Sequence, residues 1–141
     1  MAGILLDTNV LSELMRPQPE PVVLNWFAQQ QDNTFWISTI TRAEILLGIA
    51  LLPAGRRRDQ LADAAEHMLA EDFAGRSLAF DDACAVEYAL LVARRTHEGR
   101  AISTEDGQIA AIARVHALPL ATRNGKDFAG IDALTVLDPW A

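Results

Sequence analysis

Short apolar runs of strand length alternate along this chain with stretches of helical periodicity, and that alternation most constrains the fold. Ile4-Leu5-Leu6, Thr34-Phe35-Trp36-Ile37, Ser77-Leu78-Ala79-Phe80, Leu118-Pro119-Leu120-Ala121 and Leu134-Thr135-Val136-Leu137 read as five strands. Pro119 belongs at the start of its strand, because a proline cannot donate to the ladder. Val10 to Leu14 reads as a short helix. The Pro17, Pro19 and Pro21 cluster marks a turn into a second, through Val22, Val23, Trp26 and Phe27. Thr41 to Leu47 opens a third helix, weakened by Gly48 and stopped by Pro53. Arg56 to Phe73 reads as one long helix with Leu61, Ala65, Met68 and Leu69 along one face. Asp81-Asp82 opens another, with Val86, Leu90 and Ala93 spaced for burial. Ser103 to His116 forms the last, with Ile109, Ile112 and Ala113 inward. Such alternation predicts a five-stranded parallel sheet in a three-layer α/β/α arrangement. With no repeat, low-complexity segment or linker, residues 1–141 are read as one domain.

This topology has a chemical consequence. In a right-handed βα unit the helix N-terminus lies at the same sheet edge as the strand C-terminus, where open α/β sheets place their ligands. Asp7 follows strand one, and Glu44 lies in the first turn or so of the helix after strand two. Asp106 lies in the first turn of the helix before strand four, and Asn124 and Asp127 follow that strand. Four carboxylates, Asp7, Glu44, Asp106 and Asp127, are therefore expected to share one pocket. Crowded carboxylates need protons or cations between them. Hard oxygen donors with no Cys or His among them suit Mg²⁺ or Mn²⁺. The three histidines are scattered and show no zinc spacing.

Helix capping is the competing reading. Thr41-x-x-Glu44 matches a capping box, Ser103-x-x-Asp106 resembles one, and Asp7 and Asp81 stand where an N-cap would. Capping accounts well for Asp81-Asp82. It leaves Asp7-Thr8-Asn9 unexplained, a triplet that sets a carboxylate, a hydroxyl and an amide on a sharp strand-to-helix turn.

The formal net charge of −7 argues against a large nucleic-acid-binding surface. It leaves room for a nuclease, whose metal ions reverse the local potential. The basic spots, Arg56-Arg57-Arg58, Arg94-Arg95 with Arg100, and Arg123 with Lys126, read as solvated helix faces. The single cysteine, Cys84, forbids an intrachain disulfide and reads as a small core side chain. A reducing, cytoplasmic location is expected. No apolar run approaches the roughly 20 residues that cross a bilayer, and the start lacks the basic n-region of a secretory signal.

Four segments carry a resemblance to a known family. They are Leu5-Leu6-Asp7-Thr8-Asn9-Val10, Thr39-x-Thr41-x-Ala43-Glu44-x-x-x-Gly48, Asp106-x-x-Ile109-Ala110 and Ala121-Thr122-Arg123-Asn124-x-x-Asp127-Phe128. In this order and spacing they resemble the PIN domain, and more closely the VapC-type toxins of bacterial toxin–antitoxin pairs in the FitB-like branch. The terminal Asp138-Pro139-Trp140 is similar too, so the likeness spans essentially the whole chain.

The resemblance implies a Mg²⁺-dependent ribonuclease, usually a homodimer, inhibited by a cognate antitoxin whose C-terminal segment lies across the active site. The family's three main acids map onto Asp7, Glu44 and Asp106. Asp7 and Asp106 would bind the metal, with Glu44 positioning a water or acting as base. The family's fourth acid falls on Asn124, a departure, and the next acid is Asp127. Thr8, Ser38, Asn124 and Arg123 are the candidates for orienting ligands or contacting substrate, with Thr8 and Ser38 equally readable as local caps. A basic antitoxin segment would neutralise the acidic pocket.

Three rivals stand beside this reading. A phosphotransferase using Asp7 as nucleophile would prefer an acid at Asn9. A catalytically weak PIN module would act through protein or DNA binding. A nuclease of this kind could also take DNA.

Overall fold

The computed structural model describes residues 2–141. Five strands run β1 (Ile4–Leu6), β2 (Phe35–Ser38), β3 (Ser77–Leu78), β4 (Leu120–Ala121) and β5 (Val136–Leu137). Six helices accompany them: α1 (Thr8–Leu14), α2 (Pro21–Ala28), α3 (Thr39–Ala50), α4 (Arg56–His67), α5 (Asp82–His97) and α6 (Thr104–Val115). Every strand pairing is parallel, in the order β3-β2-β1-β4-β5, as the alternation predicts.

The strand period of two builds the layers. Leu5 and Leu120 point to one face, where they join Cys84, Leu91, Ile109 and Ile112 of α5 and α6. Ile4, Leu6 and Ala121 point to the other, against Val10 and Leu11 of α1, Ile45 of α3 and Ala65 of α4. At the centre of the two cores Leu5, Leu6, Ile109, Ile112 and Leu120 show essentially no exposure. Burying side chains of this size contributes about 1.5–3 kcal/mol each.

β1 lies between β2 and β4, so the chain leaves it in one direction early and returns on its other side late. That is the switch point at which open sheets hold ligands. Register pairs Leu6 with Ala121, which places the next residues, Asp7 and Thr122, side by side.

α5 departs from two expectations. Its N-terminus lies at the far edge of the sheet, where the Asp81 carboxylate feels His116 just past the end of α6. It therefore runs toward the ligand edge, and α6 runs back antiparallel to it. Its buried face is also a different one: Val86 and Leu90 are 62% and 63% exposed, whereas Cys84, Leu91 and Arg95 are buried. Apolar residues surround most of α5, so two stripes of similar helical spacing compete. Packing on α6 selected the one that contains Arg95. That arginine was read as part of a solvated face, and it is not.

The helix expected from Arg56 to Phe73 changes character part-way. α4 ends at His67, and a π-helical turn (Met68–Asp72) continues it, closed by the Phe73 N–H on the Met68 carbonyl. The wider turn delivers Met68, Leu69 and Phe73 to the core. Cys84 is a buried core side chain, as expected. Among the described residues no helix is long and apolar enough to cross a membrane.

Candidate active site

A cleft of about 550 Å³ opens at the C-terminal edge of β1 and β4, lined by Asp7, Thr8, Glu44, Asp106, Arg123 and Asn124 among others. Three of the expected acids thus meet there from three separate elements. Asp7 ends β1 and N-caps α1, with its Oδ1 accepting the Thr8 N–H at 2.8 Å. Its Oδ2 accepts the Thr122 hydroxyl at 2.8 Å. The carboxylate is nonetheless out of water, with the residue 5% exposed. Burial pushes its pKa up to about 6, against the lowering effect of the Thr122 and Thr8 hydrogen bonds, and Asp106 and Glu44 add charge repulsion.

Glu44 is not the return half of a capping box. Its Oε1 accepts the Thr8 hydroxyl at 2.6 Å, and Thr8 also bonds the Thr41 hydroxyl at 3.0 Å. Ser38 caps α3 instead, accepting the Thr41 N–H at 3.0 Å from a wholly buried position. It stands outside the cleft lining, so of its two readings, substrate contact and local cap, the structure shows the cap. Physical access decides this: a hydroxyl with no exposed surface and a backbone partner has nothing to offer a substrate.

Asp106 lies in the first turn of α6, which Ser103 caps by accepting the Asp106 N–H at 3.2 Å. The Asp106 pKa is raised by burial first, opposed by Ser103, with Asp127 the foremost of the neighbouring charges and Glu44 next. Asp127 sits half-buried in a 3₁₀ turn (Gly125–Phe128) directly behind Asn124. Asn124 lines the cleft and Asp127 faces Asp106 from beside it. Arg123 is exposed on the rim, its guanidinium 5.0 Å above the Trp140 ring.

The chain matches the PIN domain family model over residues 4–134. This chain belongs to the PIN-domain family. It is 41% identical over 137 residues to the toxin FitB of Neisseria gonorrhoeae, covering 97% of this chain and 98% of that protein. It is 40% identical over 139 residues to the VapC ribonuclease Y4jK of Sinorhizobium fredii, covering 97% of each. A solved structure of FitAB bound to the IR36 DNA fragment superposes with a TM-score of 0.88 at 40% identity, covering 98% of this chain and 96% of that one.

In this PIN domain several residues in or behind the cleft have roles that the sequence did not assign. Thr122 is wholly buried and holds Asp7. Asn9 donates to Thr122 at 3.2 Å and accepts the Arg123 N–H at 3.2 Å, so it ties the β4 exit to the α1 entry. Glu13 and Arg16 form a pair at 3.1 Å along one wall. The Glu20 N–H, then the Arg16 guanidinium, hold the Glu13 carboxyl below its ordinary pKa. Thr122 had a readable signal as the residue after the last strand-four position, as Asp7 is after strand one, and Asn9 had one in the Asp7-Thr8-Asn9 turn.

Whether the PIN site suits a divalent ion can be tested on its own donors. Among the described residues no three Asp, Glu, His or Cys side chains stand close enough to share one ion. The fit is to an ion that takes one or two carboxylates and completes its shell with water, which is the habit of Mg²⁺. Asp7, whose pKa is raised first by burial and further by two acidic neighbours with no cation to oppose them, is a group that a divalent ion would satisfy.

Proposed function

We propose that this PIN domain is the toxin of a toxin–antitoxin pair and a metal-dependent endoribonuclease that hydrolyses RNA phosphodiester bonds. The observation that carries the reading is the meeting of Asp7, Glu44 and Asp106 in one cleft, with the most buried of them lacking any cationic partner. The names of its relatives, a toxin and a ribonuclease, support it.

Asp7 and Asp106 would hold Mg²⁺ or Mn²⁺, directly or through its waters, with Glu44 reaching the ion through a water. Such an ion, when bound, activates water and neutralises charge on a phosphodiester under in-line attack. The rest falls to the chain. Thr122 and the Thr8 N–H fix the Asp7 carboxylate in one orientation. Thr8 holds one oxygen of Glu44, leaving the other to orient a water or take its proton. Arg123 and Arg16, both on the cleft, offer positive charge to the phosphates flanking the scissile one. Asn124 contacts substrate or a water, and Asp127 contributes charge from the adjacent turn.

A second groove, of about 480 Å³, shares Thr8, Ser12, Arg16 and Glu44 with the cleft and is floored by Met15, Ile45, Ile49, Leu52 and Leu61. It suits an antitoxin segment with apolar residues along the floor and an Arg or Lys at the acids, which would neutralise the pocket and exclude RNA together. Exposed Leu47, Leu51, Val86 and Leu90 provide apolar surface for a further chain, in keeping with a homodimer.

The test is RNA cleavage by the purified chain with Mg²⁺ or Mn²⁺. Cleavage is expected from the wild type, should stop on chelation, and should be lost in Asp7→Asn. Equal cleavage by a folded Asp7→Asn protein would overturn the reading.

A further inference from the structure

Arg95 is a buried cation with no carboxylate for a partner. It is 6% exposed, and each nitrogen of its guanidinium donates to a backbone carbonyl. Nε reaches Arg100 at 2.8 Å, Nη1 reaches Ala129 at 2.7 Å and Nη2 reaches Asp127 at 3.1 Å. Burying a charge is costly, and three neutral acceptors offset that cost only while all three stay in place. The arrangement is rigid because the guanidinium fork is planar.

The three carbonyls do not belong to one loop. Arg100 lies three residues before Ser103, the cap of α6, whose first turn carries Asp106. Asp127 and Ala129 belong to the 3₁₀ turn and its exit. One side chain on α5 therefore fastens the segment bearing Asp106 to the segment bearing Asp127. Arg100 adds a second arm, donating to the same Ala129 carbonyl at 2.5 Å. Gly130, at φ +78°, keeps the turn clear for it, since a Cβ there would collide with the Arg100 guanidinium.

We propose that Arg95 is a positioning residue of the site: acting only through backbone carbonyls, it sets the spacing at which Asp106 meets the divalent ion with the charge of Asp127 beside it. This rests on the metal-dependent reading above. Partners outside the ligand shell typically govern metal affinity or activity by roughly 10–100-fold.

The experiment is calorimetric titration of the purified chain with Mn²⁺, alongside thermal melts and RNA cleavage. The proteins are the wild type, Arg95→Lys, Asp127→Asn and the double variant. Arg95→Lys keeps the charge but loses the fork. It should weaken Mn²⁺ binding roughly 10-fold or more and lower kcat with KM little changed. In the Asp127→Asn background the same substitution should cost markedly less, because part of the geometry it protects no longer matters.

A lower Tm with unchanged Mn²⁺ affinity overturns the proposal, and so do fully additive losses in the double variant. If Arg95→Lys does not fold, Arg100→Met removes the exposed arm and should weaken Mn²⁺ several-fold; unchanged affinity there overturns the proposal. A wild type that binds no Mn²⁺ overturns the metal-dependent reading itself. A wild type that binds Mn²⁺ indifferently to these substitutions overturns this inference alone.

Discussion

The Thr122 hydroxyl gives its proton to Asp7 Oδ2 at 2.8 Å, across 115 residues of sequence. Its oxygen is already the acceptor for Asn9 Nδ2 at 3.2 Å and for the Asn124 N–H at 3.1 Å. A hydroxyl has one proton, so these two donors leave it pointing at the carboxylate. Thr122→Val keeps the shape and removes the donor. It removes the acceptor of two part-buried donors, Asn9 Nδ2 and the Asn124 N–H, at about 0.5–1.5 kcal/mol. Cleavage should fall by roughly 10–100-fold. The acid limb of the pH–rate profile should move to higher pH, because Asp7 loses a bond that favours its ionised form. An unmoved acid limb would show that the bond is structural only.

Asp7 also sets a pH dependence of stability. Its folded pKa, about 6, lies above the ordinary 3.8, so the folded state holds this proton more tightly than the unfolded state. The resulting stability is complete below about pH 3.8 and is lost as pH rises through 6. In metal-free protein at neutral pH the ionised group costs on the order of 3 kcal/mol. Asp7→Asn should therefore be more stable than wild type by about 1–3 kcal/mol at pH 7.5, with the difference vanishing near pH 4. Urea denaturation in EDTA at the two pH values measures this. A variant less stable than wild type at pH 7.5 would refute it.

Ser38→Ala separates capping from substrate contact. Losing the bond to the Thr41 N–H should cost about 1 kcal/mol of stability. Cleavage per folded molecule should stay within about two-fold of wild type, since the Ser38 hydroxyl is wholly buried and outside the cleft lining. A large rise in KM without a loss of stability would restore Ser38 to the substrate side.

Gly107, next to Asp106, is where α6 presses on α5. A Cβ there would lie 2.9 Å from Tyr88 Cε2 and 3.0 Å from Val92 Cγ2. Gly107→Ala should destabilise by about 1–3 kcal/mol through overpacking. Adding Val92→Ala should recover part of that loss, measured as denaturation midpoints of the single and double variants. No coupling between the two would mean that α6 shifts freely to make room.

Much of this was legible because it is local. Ile4–Leu6 reads as a strand, and Asp7 as the residue that ends it, from seven consecutive residues. Asp106 reads as an early helix position from Ser103 and the apolar spacing after it. Glu44 was legible as a residue of the ligand edge, where it lines the cleft. The capping box drawn around it was wrong, because Ser38 had already satisfied the Thr41 N–H and freed Glu44 for Thr8.

By itself the sequence determined the parallel α/β class and the placing of acids at strand exits and helix starts, since hydrophobic period and chain punctuation act over a few residues. Tertiary structure decided which groups face which acid. The bond from Thr122 to Asp7 exists because β1 and β4 pair in one register. The clamp of Arg95 exists because α5 runs toward the ligand edge with that face turned inward. Both depend on contacts between segments distant in the chain, and neither a strand's alternation nor a helix's spacing encodes its neighbour.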